Sequence, residues 1–284
     1  MQTLNIIGAG RVGQTLGHLW QHNESFTLQD VLTRHAETAA AACAFMEGGI
    51  PVGDMASMRP ADVWMLAVPD AQIRDAAEQL AQARGPQTAA PLVFHCSGAQ
   101  SSDSLEALAA MGWRTASAHC ILSFASAAAA VQQFAGTACA LEGPVDATAT
   151  LHAAFTAIQA RCFSVAREHK LLYHAAAVFA TNFLPVLQQT AEDAWRATGV
   201  PEALLPHLRE SLLNNAVANI TRMGPSQALT GPAARGDVAA IEKQAAVVTQ
   251  WDAKAGAAYV ALSDLALRMA NASKVTTTEA AKPH

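Results

Sequence analysis

The chain has 284 residues, 51% hydrophobic and 14% charged, with a formal net charge of −5. That length suits two domains, and an acidic balance without any Lys/Arg cluster excludes a nucleic-acid partner. Cys43, Cys96, Cys120, Cys139 and Cys162 are odd in number, widely spaced and lack a C-x-x-C pair, which argues against a disulfide framework or a metal site and for reduced thiols.

The first strand-like run, Leu4–Ile7, starts so close to Met1 that a signal peptide has no room. No stretch is read as a bilayer-spanning helix, so a cytoplasmic protein with no membrane partner is expected. Gly8-Ala9-Gly10-Arg11-Val12-Gly13 follows that strand and opens a helical run, the context that gives G-x-G-x-x-G its force as a dinucleotide turn. Gly8 permits the tight turn, Gly10 lets the backbone approach a pyrophosphate, and Gly13 lets helix pack on strand. The phosphates are expected over Gly10, Arg11 and Val12 at the positive helix N-terminus.

The second strand, Phe26–Leu32, selects the cofactor at its end, where a carboxylate suits a ribose 2′-OH and a cation suits a 2′-phosphate. Asp30 precedes that end, whereas Thr33, Arg34 and His35 stand at it, which favours NADP(H) over NAD(H). Further strands are expected at Val63–Val68, Leu92–Cys96, Arg114–Ala118, Ala138–Leu141 and Cys162–Val165, with helices such as Ala71–Ala83 and Asp146–Gln159 between most of them. The fold class is therefore α/β, a doubly wound, mostly parallel Rossmann sheet over residues 1–167. Val68 and Pro69 end a buried strand and offer backbone to the cofactor's ribose region.

Ligands in such sheets gather at the carboxyl ends of strands. Ser97 and Gly98 follow one strand and His119 another, as candidates to hold a substrate carboxylate; a plain turn and a packed histidine are the alternatives. From Glu168 the strand signals stop. Helical stretches Lys170–Thr198, Glu202–Met223, Val238–Trp251 and a last one to about Asn271 predict an all-helical second domain over residues 168–271, and residues 272–284 are expected to form a frayed tail. Lys170, His174 and Asn182, separated by four and then eight residues, fall on one helix face at 3.6 residues per turn, and Pro185 is expected to kink that helix. They are the candidate catalytic residues, with His174 the preferred acid and a solvated helix start the alternative for Lys170. In Leu229–Asp237, Arg235 is a candidate carboxylate clamp, and Asp237 either joins it or caps the next helix.

The glycine turn Ile7–Gly13, the run Leu172–Asn182 and the pair Leu229–Pro232 with Arg235–Asp237 together resemble a two-domain family, a Rossmann-like domain followed by a helical domain of unknown function. More distantly the chain resembles ketopantoate reductase, pyrroline-5-carboxylate reductase and the β-hydroxyacid dehydrogenases. That resemblance implies a homodimer through the helical domain and NADP-dependent reduction of a small keto or imino carboxylate, 2-ketopantoate being the first candidate. In the dehydrogenase and ketopantoate branches a helix Lys and an Asn one turn later activate the substrate; Lys170 matches the first, and His174 stands where the Asn belongs. A catalytically silent NADP-binding sensor is the rival expectation.

Overall fold

A computed structural model describes residues 1–84 and 90–280, with side chains through Ala272. By its contacts the chain divides into two compact units, residues 1–181 and 182–284.

The first unit is built on an eight-stranded sheet: β1 (Gln2–Ile7), β2 (Phe26–Leu32), β3 (Ile50–Val52), β4 (Val63–Leu66), β5 (Leu92–His95), β6 (Arg114–Cys120), β7 (Ala138–Glu142) and β8 (Arg161–Ser164). Their order is β3-β2-β1-β4-β5-β6-β7-β8. The chain reverses direction between β4's side and β2's side of β1, the doubly wound arrangement expected. All neighbours pair in parallel except β6 and β7, which run antiparallel from Ser117↔Glu142 to Cys120↔Cys139. β3 has no sequence counterpart among the expected strands. It is three residues long and carries Pro51, whose missing donor is tolerated only on an edge strand, and that is where it sits.

Strand side chains alternate between two cores. Leu4, Ile6, Met65, Leu92 and Phe94 meet Trp20 and Phe155 on one face, while Ile7, Trp64, Leu66 and Val93 meet Ile73, Leu80 and Trp113 on the other. Helices α1 (Arg11–His22), α2 (Ala36–Met46), α3 (Ile73–Arg84), α4 (Glu106–Ala109), α5 (Ala127–Gln133) and α6 (Val145–Ala157) supply the covering layers. Trp20 stands edge-on to Phe26, Phe94 and Phe155 and donates its indole N–H to Ala154 O at 3.0 Å, so its one polar atom is satisfied inside the core. α7 (Lys170–Ala177) closes this unit, so residues 168–181 of the expected helical domain belong with the sheet.

One π-helical turn, Val178–Asn182, follows α7 and precedes α8 (Phe183–Ala197). Pro185 has no N–H for the carbonyl of residue 181, and a widened turn beside it is one of the few ways a helix absorbs that loss. The kink expected at Pro185 thus takes the form of a π turn. It interrupts the 3.6-residue period from which a single face for Lys170, His174 and Asn182 was inferred.

The second unit consists of α8, α9 (Leu205–Met223), α10 (Pro225–Ala228), α11 (Gly231–Arg235), α12 (Val238–Trp251) and α13 (Ala253–Ala280). Glu192 of α8 is 7% exposed and accepts from Arg209 of α9 at 2.7 Å and Arg196 at 3.2 Å, a buried carboxylate held from two sides. α13 runs through Ala280, beyond the point at which fraying was expected; no Gly or Pro falls between Ala272 and Ala280. Residues 281–284 of that expected tail lie outside the described residues.

The expectation that no helix is apolar enough to span a membrane needs correction. Leu171–Ala191 contains no Asp, Glu, Lys or Arg, and an 18-residue window within the helical run Arg167–Ala197 reaches a mean hydropathy of 1.3, long and apolar enough by composition. In its first turn, however, Lys170 is 1% exposed and packed into the sheet unit.

Candidate functional site

Because β1, β2, β4, β5 and β6 are parallel, the turns after them share the sheet's carboxyl edge. At that edge lies a groove of about 900 Å³, lined by Gly8, Gly10, Thr33, Arg34, Val68 and Pro69 among others.

The three motif glycines differ in what they do. Gly8 has φ +87°, and a Cβ there would lie 2.6 Å from Ala67 O, so only glycine fits. A Cβ on Gly13 would lie 2.5 Å from Gly8 O, which explains the close seating of α1. Around Gly10, in contrast, nothing lies within 4 Å of the Cβ position; its backbone is bare to the groove. Gly10 is also the N-cap of α1 without a side-chain cap bond, so the first N–H groups of the helix remain for an anion. The turn therefore fits a dinucleotide pyrophosphate. Val12 packs against the sheet core, and Arg11 donates to Phe124 O at 3.4 Å.

At the end of β2, Asp30 is 1% exposed and takes the Arg59 guanidinium at 2.6 Å together with the Arg59 backbone N–H at 2.6 Å. It is committed to the fold. Arg34 is exposed at the groove's rim, and Thr33 donates to His35 O at 2.7 Å, bending the rim loop. Asp54, not singled out in the sequence, also lines the groove; Ser57 N–H donates to it at 2.8 Å, which lowers its pKa.

The second cluster forms where β5 and β6 end. His95 is fully buried, donates through Nε2 to Ser101 O at 3.0 Å, and accepts at Nδ1 from Ser97 N–H at 3.2 Å, so it shapes the loop between them. Burial holds its pKa below the usual histidine value. The Ser97 hydroxyl donates to Asp70 at 2.6 Å and accepts from the N–H groups of Ala99 and Gln100 at 3.2 and 3.0 Å. That oxygen is engaged in holding the turn. Ser97's carbonyl accepts from Lys170 Nζ at 3.0 Å, which pins the lysine under the turn. Burial depresses the Lys170 pKa, with Glu142 and Asp70 opposing the shift.

Above Gly98 two imidazoles converge. A Cβ on Gly98 would lie 2.5 Å from His174 Nδ1 and 2.8 Å from His119 Nε2, so a glycine is required for both rings to close in. The rings stand edge to face with centroids 5.8 Å apart. His119 Nδ1 is 2.8 Å from the Tyr173 hydroxyl, and Lys170 Nζ lies 5.9 Å from the Tyr173 ring centre. Burial first, then the neighbouring charges of Lys170 and His174, push His119 down to about 4, so it is neutral at physiological pH. His174 Nδ1 is buried without a hydrogen-bond partner among the described residues, an open valence beside Gly98.

Of the residues singled out from sequence, Ser97, Gly98, His119, Lys170 and His174 come together here. Asn182, Arg235 and Asp237 belong to the second unit. Arg235 is exposed at the end of α11, and Asp237 accepts from Ala240 N–H at 3.1 Å as the N-cap of α12. Tyr173, His95 and Asp70 were not assigned roles from sequence. Asp70 and Tyr173 find their partners, Ser97 and His119, far away in the chain, and only Tyr173's place beside His174 hinted at its part.

Residues 2–120 match the model of a Rossmann-like domain, and residues 137–266 match that of a domain of unknown function, DUF2520. Protein TM1727 of Thermotoga maritima has a similar fold, at 24% identity and a TM-score of 0.76 over 95% of this chain and 99% of that one. BF3122 of Bacteroides fragilis, described as an NADP oxidoreductase, aligns at 19% identity and 0.70 over 94% and 98%. An imine reductase from Myxococcus stipitatus in complex with NADP+ aligns at 18% and 0.61 over 96% and 94%. At such identities the likeness is one of fold. No curated relative matches the chain.

Proposed function

We propose that this chain, a Rossmann-like domain joined to a DUF2520 domain, is an NADP-dependent reductase of a small keto or imino carboxylate. The observation that carries the reading is the shared carboxyl edge: the glycine turn with its bare Gly10 follows β1, and Gly98 and His119, with Lys170 and His174 of α7 against them, stand where the parallel strands β5 and β6 end. The turn and α1's N-terminus would hold the pyrophosphate, and Arg34 at the rim would meet a 2′-phosphate. When bound, the cofactor supplies the hydride. The chain's own part is to orient the substrate, exclude water and provide a proton as the carbonyl or imine is reduced.

His174 and Lys170 are the groups suited to move that proton. His174 offers an unpartnered buried nitrogen, and Lys170 is a desolvated amine whose depressed pKa eases proton release. A silent sensor would have no use for a buried lysine or for two imidazoles crowded on a glycine, so the site favours catalysis over that rival.

Imine reduction is supported by the fold shared with an imine reductase, and 2-ketopantoate remains the first keto acid to try. A panel of 2-keto and cyclic imino acids mixed with NADPH, read by loss of its absorbance, tests the proposal. Selective oxidation with one substrate class supports it; NADPH binding with no turnover on any member would return the sensor reading to the front.

The proposed assembly is a homodimer through the second unit, in the cytoplasm. Val186, Leu212, Val217 and Val247 on its helices are each at least 50% exposed, apolar side chains that a second copy could cover. Light scattering after gel filtration should give twice the 29.6 kDa chain mass; a strictly monomeric protein at micromolar concentration would count against it.

A further inference from the structure

We propose that the Tyr173 hydroxyl locks His119 in the tautomer carrying its proton on Nε2, making His119 an un-ionised hydrogen-bond donor toward the substrate's carbonyl oxygen or imine nitrogen. Tyr173 is then its positioning residue. The role toward substrate rests on the reductase reading above; the tautomer does not.

The geometry sets up the choice. His119 Nδ1 and the Tyr173 oxygen are 2.8 Å apart, and the two rings stand perpendicular at 86°. Either the phenol donates to Nδ1 or an Nδ1–H donates to the phenol oxygen. A phenol O–H is a far stronger donor than an imidazole N–H, and an imidazole's bare nitrogen is a far stronger acceptor than a phenol oxygen. The phenol therefore donates, and the proton of the neutral ring goes to Nε2. That nitrogen is on the ring edge away from Tyr173, facing Gly98 and, across it, the unpartnered His174 Nδ1.

The surroundings keep the ring neutral. Lys170 and His174 face it from α7, Asp70 acts from the loop after β4, and Gly98 covers its edge. A cation here would sit against the Lys170 ammonium in a desolvated pocket, which is why the imidazole resists protonation until about pH 4. A neutral imidazole is a weak acid but a well-placed dipole. It polarises a carbonyl without competing for the proton that His174 or Lys170 delivers. Phe163 packs on Tyr173 with ring centres 6.1 Å apart, holding the phenol on station.

The test is nitrogen-15 NMR of the intact protein labelled at histidine, with the His119 signals assigned by their loss in His119→Gln. The expected result is a pyridine-type Nδ1 and a protonated Nε2, unchanged from pH 8 to about pH 5. Tyr173→Phe, which keeps the ring packing, should turn this into a mixture of tautomers and, once a substrate is in hand, lower kcat about tenfold while leaving KM for NADPH unaltered. A protonated Nδ1 in the wild type, or an unchanged tautomer in Tyr173→Phe, overturns the proposal. Because these signals need neither cofactor nor substrate, a failed substrate search contradicts the reductase reading and leaves the tautomer result standing.

Discussion

Single atoms decide the outcome at the glycines. Gly98→Ala would put a methyl group 2.5 Å from His174 Nδ1, and the histidine, being on a side chain, will give way before the backbone does. A shift of that size at a reacting group costs about a hundredfold in turnover. We therefore expect Gly98→Ala to lower kcat by that order with little loss of NADPH affinity; equal loss of both would contradict the placement of the imidazoles beside the chemistry. The two glycines of the cofactor turn should behave in opposite ways. Gly8→Ala meets Ala67 O at φ +87° and should cost about 2 kcal/mol of stability or more. A Cβ at Gly10 meets nothing within 4 Å and opens onto the groove, so the urea midpoint of Gly10→Leu should stay near the wild type's while nucleotide binding disappears. His174→Ala should depress turnover about a hundredfold with cofactor affinity retained, the usual scale for loss of a general acid. If it does not, proton supply falls to Lys170 or water.

At the scale of elements, the end of β2 sets cofactor choice. Asp30 is taken up by Arg59, leaving Arg34 as the charged group at that end of the strand. Arg34→Ala should weaken NADPH about tenfold or more and leave NADH nearly unchanged, measured by fluorescence titration of each. An equal effect on both would place the phosphate elsewhere. The same elements show what was legible in the chain beforehand. Strands β1, β4 and β5 and the glycine turn could be read because buried parallel strands are apolar runs and because a G-x-G-x-x-G in that setting has one common use. β3 could not, since three residues with a proline carry no periodic signal. Ser97, Gly98 and His119 were found from their strand-end positions. What Ser97 does was hidden, because its hydroxyl answers to Asp70, far off in sequence. The shared face of Lys170, His174 and Asn182 assumed a regular helix, and the π turn before Pro185 departs from it.

For the whole molecule, two buried histidines make folding sensitive to acid. His119 has a folded-state pKa of about 4 against an ordinary 6.5, and His95 is lowered as well. The unfolded chain thus binds more protons between those values, so stability is present above about pH 6.5 and falls as pH drops toward 4. His119→Gln should flatten part of that slope in urea unfolding; an unchanged slope would mean that His119 is not buried as a neutral ring. Both large buried cores belong to the Rossmann-like unit, which is assigned nucleotide binding; dimerisation is proposed for the helical unit. The bare turn at Gly10 is the proposed seat of NADPH. The most direct measurement is a fluorescence titration of the purified protein with NADPH and NADH, with Gly10→Leu alongside. Saturable binding that favours NADPH and vanishes in the variant is predicted; no binding of either nucleotide by the wild type would contradict it.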